Sequence, residues 1–388
     1  MINEKFFNKK ILIITSDFVY PPNHGARVEF WNRIKTFYKM GFCIDLVYTS
    51  KEKPLLKYEN IVKKYVRNLM MVKRKNRIID MFSLKPMEMT SRIGLMYINF
   101  KEPYDYVFME GGVSTVILDN KTLKYKKAVL RSHNDDVVYS IQLMKSEKIW
   151  WRKLYYLINS FKYKYIDKKI IEKVSNIMFI SYDEMIKYKN KYNNINECFL
   201  PTAVDFDFKK QLLNNNNVVI ICSLFMINNK EAVKFYIEKI HPLLNDVKDY
   251  RLIIAGNTRG EGVSWIKELS NKYANIDIFD TPDDLNEIYK LGSIFANPML
   301  HGAGVKLKTI NAIVNGLPVV STTIGNQGTG LEHGKHIYVS DDIYQYANLI
   351  RILIENKEKR WELVKNGQEF IKLHYNQEKI LYKYFSNL

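Results

Sequence analysis

Two glycines and two lysines in the stretch His301-Gly302-Ala303-Gly304-Val305-Lys306-Leu307-Lys308 have the types and spacing to hold a diphosphate. Glycines at 302 and 304 let backbone N–H groups come close to a ligand. A helix opening at Val305 would place about half a positive charge at its start. Lys306 and Lys308 add full charges in the first turns. Lys308, Asn311 and Ala312 are three and four residues apart, so a helix puts them on one face, with Lys308 on a phosphate and Asn311 reaching a ribose hydroxyl. A Gly-x-Gly before a helix is also a common tight turn, so the surrounding elements decide its meaning.

Those elements alternate. Apolar, β-branched runs at Ile11–Thr15, Phe42–Tyr48, Tyr106–Met109, Ala128–Arg131 and Ile177–Ser181 read as buried strands. Helical spacing of Val28, Trp31, Ile34 and Tyr38 fills Arg27–Met40, and a long helix is expected over about Ser146–Lys173. A second series begins after Pro201 and an asparagine run: strands Val218–Ser223, Arg251–Ala255, Ile276–Phe279, Ile294–Asn297, Val319–Thr322 and Ile337–Val339. Helices are expected from Lys230, around Asp284–Leu291 and over Val305–Asn315, with two more at the C-terminus. Such alternation predicts parallel sheets covered on both faces, which bind ligands at the carboxyl ends of their strands. The glycine and lysine loop lies at such an end, after Ile294–Asn297.

The 388-residue chain exceeds what one core usually organises, so two domains are expected. Cys43, Cys198 and Cys222 have neither disulfide-framework nor zinc spacing, which fits a reducing compartment. No stretch approaches the roughly 18 to 20 apolar residues of a membrane span, and no signal-peptide cleavage site is evident. Net charge is +18, and residues 1–200 carry 37 Lys and Arg against 20 Asp and Glu. The basicity therefore belongs to the first half and suits phosphates, anionic lipid or simply solubility. In Ser146–Lys173, cations interleave with Trp150, Trp151, Tyr155, Tyr156, Phe161, Tyr163 and Tyr165. That pattern fits an interface with anionic lipid, or an aromatic stripe packed on the sheet. No nucleic-acid recognition motif accompanies it.

The stretch Asn297–Val320 resembles the donor-binding signature of the family 4 glycosyltransferases of GT-B fold. His301, Gly302, Gly304, Lys306, Lys308, Ala312, Gly316, Pro318, Val319 and Val320 match; Asn311 stands where the family has a ribose-gripping glutamate. The loop Tyr20–Phe30 is similar to the family's Pro-Pro-x-x-Gly-Gly loop, with Gly25-Ala26 for the glycine pair. His133 aligns with a family histidine that contacts the donor sugar, while Asp135 and Asp136 read as helix caps. Ser223, Asn229, Ala232 and Phe235 match a second-domain motif in which Cys222 replaces a glycine, and Lys230 is the cation nearest to a family basic pair. The loop Ile324–Gly328 fits either a turn or a further site loop.

The resemblance implies an α/β, GT-B chain of two Rossmann-like domains facing across a donor-binding cleft. Residues 1–203 would form the acceptor side, 204–365 the nucleotide-sugar side, and 366–388 a helix returning to the first domain. It implies a retaining, metal-independent glycosyltransferase without cofactor, using a nucleotide sugar as co-substrate and a carbohydrate, lipid-linked or other glycan acceptor. The expected role is bacterial surface polysaccharide or glycoconjugate assembly, in the cytoplasm or on the inner face of the membrane. The implied catalytic contact is His133. The implied donor-binding set is Gly25, Ser223, Asn229, Lys230, His301, Gly302, Ala303, Gly304, Val305, Lys306, Lys308 and Asn311, with no metal ligands. A catalytically silent GT-B partner and a nucleotide-sugar epimerase are the alternatives.

Overall fold

The computed structural model describes residues 6–22, 25–75, 80, 83–147, 149–204, 206–210, 215–302 and 304–388. Ala303 lies outside the described residues. The chain divides into two compact units, Met1–Leu200 with Gln377–Leu388, and Pro201–Asn376.

The first unit holds β1 (Lys10–Thr15), β2 (Cys43–Ser50), β3 (Asn68–Lys73), β4 (Tyr104–Glu110), β5 (Tyr125–Ser132), β6 (Asn176–Phe179) and β7 (Asn196–Phe199). They form one sheet in the order β3-β2-β1-β4-β5-β6-β7, with every pair parallel. The central strands are apolar runs because helices bury both faces. At the margins β3 and β7 are largely half-exposed. Neither was expected: NECF carries little apolar pattern, and the four-residue apolar run of NLMMVK is short and flanked by polar residues.

Helix Gly25–Lys39 buries Phe30, Ile34 and Phe37, whereas Val28 and Tyr38 are exposed. Its buried stripe is thus rotated from the expected one and includes the charged Arg33. The long basic helix runs over Trp150–Lys173, after a separate helix Asp136–Ser146 capped by Asp135, whose carboxylate accepts from the Val138 N–H.

The second unit has β8 (Asn216–Ile221), β9 (Tyr250–Gly256), β10 (Ile276–Asp280), β11 (Ile294–Asn297), β12 (Val319–Ser321) and β13 (Tyr338–Val339), in the parallel order β10-β9-β8-β11-β12-β13. Both sheets therefore reverse direction of strand addition once, beside β1 in the first and beside β8 in the second. Three helices, not two, end the chain: Ile343–Glu355, Lys357–His374 and Gln377–Asn387. The contact boundaries fall at Leu200 and Gln377, against the expected 203 and 366. Helix Lys357–His374 is continuous and buries Leu363, Val364 and Ile371, so the chain leaves the second unit only after it. The last helix inserts Leu381 and Phe385 into the first unit's core, Phe385 packing edge-on against Phe37 and Phe42.

Candidate functional site

In sheets of this topology, ligands bind beyond the carboxyl ends of the strands where the order reverses. In the second unit that point lies between β8 and β11, and the loops leaving those two strands carry Ser223 and His301–Lys306.

The two loops are joined by side chains. Lys308 Nζ donates to Asn229 Oδ1 at 2.7 Å, and Asn229 Nδ2 donates to the Ser223 carbonyl at 2.9 Å. Ser223, Asn229 and Lys308 are thus brought together across the switch point. Burial pushes the Lys308 ammonium below its ordinary value. Among the described residues no carboxylate lies within ion-pairing distance of it. A desolvated cation held only by a neutral amide is a receptor for an anion.

Lys306 has a different orientation from the one expected. Only 5% exposed, it donates from Nζ to the carbonyls of Gly302 (3.1 Å) and Gly304 (2.9 Å), clamping its own loop. Burial, then the charge of Lys308, push its pKa down to about 8. The clamp requires the glycines: φ is +132° at Gly302 and +75° at Gly304, in a region that side chains disfavour. A Cβ on Gly302 would come within 3.1 Å of Met299 Cε and 3.3 Å of Asn228 Nδ2.

The expected helix start at Val305 is corrected to Leu307, because Lys306, at φ −90° and ψ 75°, is still outside the helix. The helix Leu307–Val314 holds all three residues at the expected spacing, but in different surroundings. Ala312 is in the core, Asn311 is exposed, and Lys308 lies between them on Asn229. His301 is exposed and Lys230 is paired with Glu261 at 2.6 Å, so its charge is matched by a carboxylate. The loop Ile324–Gly328 is anchored from behind. Asn297 Nδ2 and Thr309 Oγ1 both donate to the Gly325 carbonyl at 2.8 Å, and a Cβ at 325 would lie 2.4 Å from the Asn297 carbonyl oxygen.

In the first unit, Gly25 opens the helix Gly25–Lys39, and Arg27 pairs with Asp17 across the preceding loop at 2.8 Å. His133 follows β5 at its carboxyl end, with Nε2 2.8 Å from Glu110 Oε2. Asp136, in the first turn of its helix, is pushed up to about 7 by burial and then by Asp135. Sequence reading missed Glu110, the partner of His133, and the buried Arg33, Glu29 and Arg131 linked behind it. The available signal was a pair of charged residues, Glu110 and Arg131, ending two central strands in register. Among the described residues no group of three or more His, Cys, Asp or Glu side chains is arranged to hold a metal ion.

Residues 215–356 match the family described as Glycosyl transferases group 1. A protein of Klebsiella pneumoniae, described as an uncharacterized 44.6 kDa protein in cps region, is 33% identical over 389 residues, covering 97% of this chain and 99% of its own. Among solved structures, TarM superposes with a TM-score of 0.64 at 13% identity, covering 98% of this chain and 99% of its own. The lipopolysaccharide outer core galactosyltransferase WaaB, in its apo form, gives 0.65 at 12% identity, covering 98% and 100%. HepE of Anabaena, in complex with UDP, gives 0.62 at 12% identity with the same coverage. These structures establish the fold as GT-B, with two Rossmann-like units. The chain belongs to the group 1 glycosyl transferases and is a glycosyltransferase.

Proposed function

We propose that the chain transfers a sugar, with retention of anomeric configuration, from a nucleotide-sugar donor to a hydroxyl acceptor in surface polysaccharide or glycoconjugate assembly. The carrying observation is Lys308, desolvated at the switch point, bridged by Asn229 to the loop after β8 and without a carboxylate partner among the described residues. HepE, solved with UDP-glucose, and the Klebsiella relative from a cps region support this reading. Lys308 neutralises the leaving diphosphate, Lys306 holds the loop that receives it, and the first turn from Leu307 adds its dipole. Asn311 holds the ribose and His133 contacts the sugar. In this reading lysines and helix dipole neutralise the diphosphate without a metal ion. Incubation with a panel of nucleotide sugars and mixed glycan acceptors should release nucleoside diphosphate. Absence of both release and calorimetric binding for every donor in the panel would refute the proposal.

Asn311, exposed on the helix, accepts from a diol less strongly than a carboxylate does. Asn311→Glu is expected to tighten nucleoside diphosphate binding about tenfold, a gain of roughly 1.4 kcal/mol. Calorimetry showing unchanged or weaker binding would remove Asn311 from the ribose contact.

The same reading places the protein on the inner face of an anionic membrane. Among the described residues no helix is long and apolar enough to cross one. Helix Trp150–Lys173 nonetheless exposes Trp150 (75%), Trp151, Leu154, Ile158 and Phe161 (63%) among its lysines, so its aromatic residues do not all pack on the sheet. A groove of about 470 Å³ beside it is lined by Met144, Leu157, Phe161 and Lys164, with Lys187 and Lys191 paired to Asp135 and Asp167, so an apolar wall and the Lys164 ammonium are what it offers a lipid-linked anionic acceptor. Full-length protein should co-sediment with phosphatidylglycerol vesicles and not with phosphatidylcholine alone. Joint replacement of Trp150, Trp151 and Phe161 by alanine should reduce that binding at least about tenfold. Equal binding to both vesicle types, or no loss in the triple variant, would count against the membrane face.

A further inference from the structure

Behind His133 lies a set of buried charges that donor binding alone does not explain. Glu110, fully buried at the end of β4, meets His133 Nε2 through Oε2 and accepts from Arg33 Nε through Oε1 at 2.9 Å. Arg33 is also fully buried. Its Nη2 donates to Glu29 Oε2 at 3.0 Å and its Nη1 to Gln377 Oε1 at 3.1 Å, while Gln377 Nε2 donates back to Glu29 at 3.2 Å. Every member that orients Glu110 is thus fixed by another.

The charge of Glu110 decides which way the imidazole presents itself. Burial alone would push this carboxyl up, but Arg33, the His133 hydrogen bond and Arg131 outweigh it and hold the pKa at about 2. An ionised carboxylate only accepts hydrogen bonds, so the proton between the two groups belongs to His133 Nε2. In the neutral ring, Nδ1 is then a bare acceptor.

The His133 side chain is 27% exposed. Nδ1 faces Gly111, where φ is +84° and a Cβ would sit 3.5 Å from it. Phe30 stacks on the imidazole with centroids 5.7 Å apart and planes 26° from parallel, which restricts rotation of the ring.

We propose that Glu110 is the positioning residue of His133, holding Nε2–H so that Nδ1 accepts the hydrogen of a hydroxyl on the donor sugar. Arg33, anchored by Glu29 and Gln377, fixes the carboxylate in turn. The proposal rests on His133 contacting the donor sugar. It goes beyond that contact by specifying the atom used and the group that orients it. Buried carboxylates that orient a working imidazole change activity about 10- to 100-fold when removed from metal-bound histidines, and the same logic applies to a hydrogen-bonding one.

The test uses the full chain with 15N-labelled histidine, the His133 signals being assigned by their loss in His133→Gln. In the neutral ring, Nε2 is expected to be protonated and Nδ1 bare. Glu110→Asp, which keeps the charge and withdraws it by one methylene, should disturb that pattern. It should lower kcat about 10- to 100-fold with little change in donor KM, and Glu110→Gln should do the same if it folds. A proton on Nδ1 in the unaltered protein overturns the proposal, as does Glu110→Asp with unchanged tautomer and turnover. Full turnover in His133→Gln would instead refute contact between His133 and the sugar, even with the expected tautomer. The two failures are therefore separable.

Discussion

Lys308→Ala is expected to lower nucleoside diphosphate release at least about 100-fold while leaving the fold intact. Removing one preorganised donor from a developing negative charge typically costs about 10²- to 10³-fold in turnover. Here the group lost is a full cation whose described hydrogen bond is to Asn229 Oδ1, not to an acid. The folded protein has little reason to resist the change, because burial already disfavours the charged form. Thermal unfolding should therefore shift little or upward, and Asn229 keeps its bond to the Ser223 carbonyl. Donor affinity should fall along with turnover, since the diphosphate is present in the ground state as well as the transition state. Lys308→Arg provides a contrast: it preserves charge but not the compact ammonium that fits beside Asn229, and should retain partial activity. Full turnover by Lys308→Ala would remove the phosphate assignment, and a collapsed fold would mean the lysine is structural.

That Lys308, Asn229 and Ser223 meet in one place was legible in the sequence in part because helical spacing and glycine chemistry act locally. The strand before the loop, the glycines at 302 and 304 and the switch to helix are each written within a few residues. What was not legible was the division of labour between the two lysines. Lys306 and Lys308 are equivalent as letters, yet the backbone turn at Gly304 points Lys306 into carbonyls of its own loop, while the first helical turn sends Lys308 to a residue 79 positions away. The two-residue delay in helix onset, from Val305 to Leu307, has the same origin.

The first unit was less transparent for a related reason. Hydrophobic spacing identified the helix at Gly25–Lys39, but the residues used included Val28 and Tyr38, which face outward. Arg33 sits among Phe30, Ile34 and Phe37 on the true inner stripe, and the local sign that it is matched is Glu29, four residues earlier. Its other partners are Glu110 and Gln377, 77 and 344 residues on. Long-range pairing of buried charge has no periodicity to read, whereas strands buried on both faces announce themselves as apolar runs. The return of the final helix was expected from the family resemblance. Its point of departure at Gln377, a residue that also bonds Arg33, depends on the same hidden contact.

Arg33→Met should consequently destabilise the first unit by about 3–5 kcal/mol, the cost of leaving a buried carboxylate without its partner. Methionine fills a similar volume, so the loss is electrostatic more than steric. Glu110 and Glu29 would remain buried beside Arg131, whose guanidinium nitrogens have no hydrogen-bond partner among the described residues and whose Nη2 is 3.9 Å from Glu29. Arg131 cannot replace the lost pair without moving. The pH dependence follows from the direction of the Glu110 shift. Its pKa of about 2 in the folded chain lies below the unfolded value of about 4.3, so the stability it contributes is present above pH 4.3 and is lost as pH falls toward 2. Without Arg33 burial raises that pKa, and the variant should lose this contribution at a higher pH than the unaltered protein. Hydrogen exchange of the β1, β4 and β5 amides, compared at pH 7 and pH 5 and corrected for intrinsic rates, reads this unit separately from the second. Protection that falls in β4 and β5 but not in β8 and β11 is the expected pattern. Unchanged protection at both pH values would mean that Glu110 is balanced by Arg131 and that Arg33 is dispensable to the charge cluster.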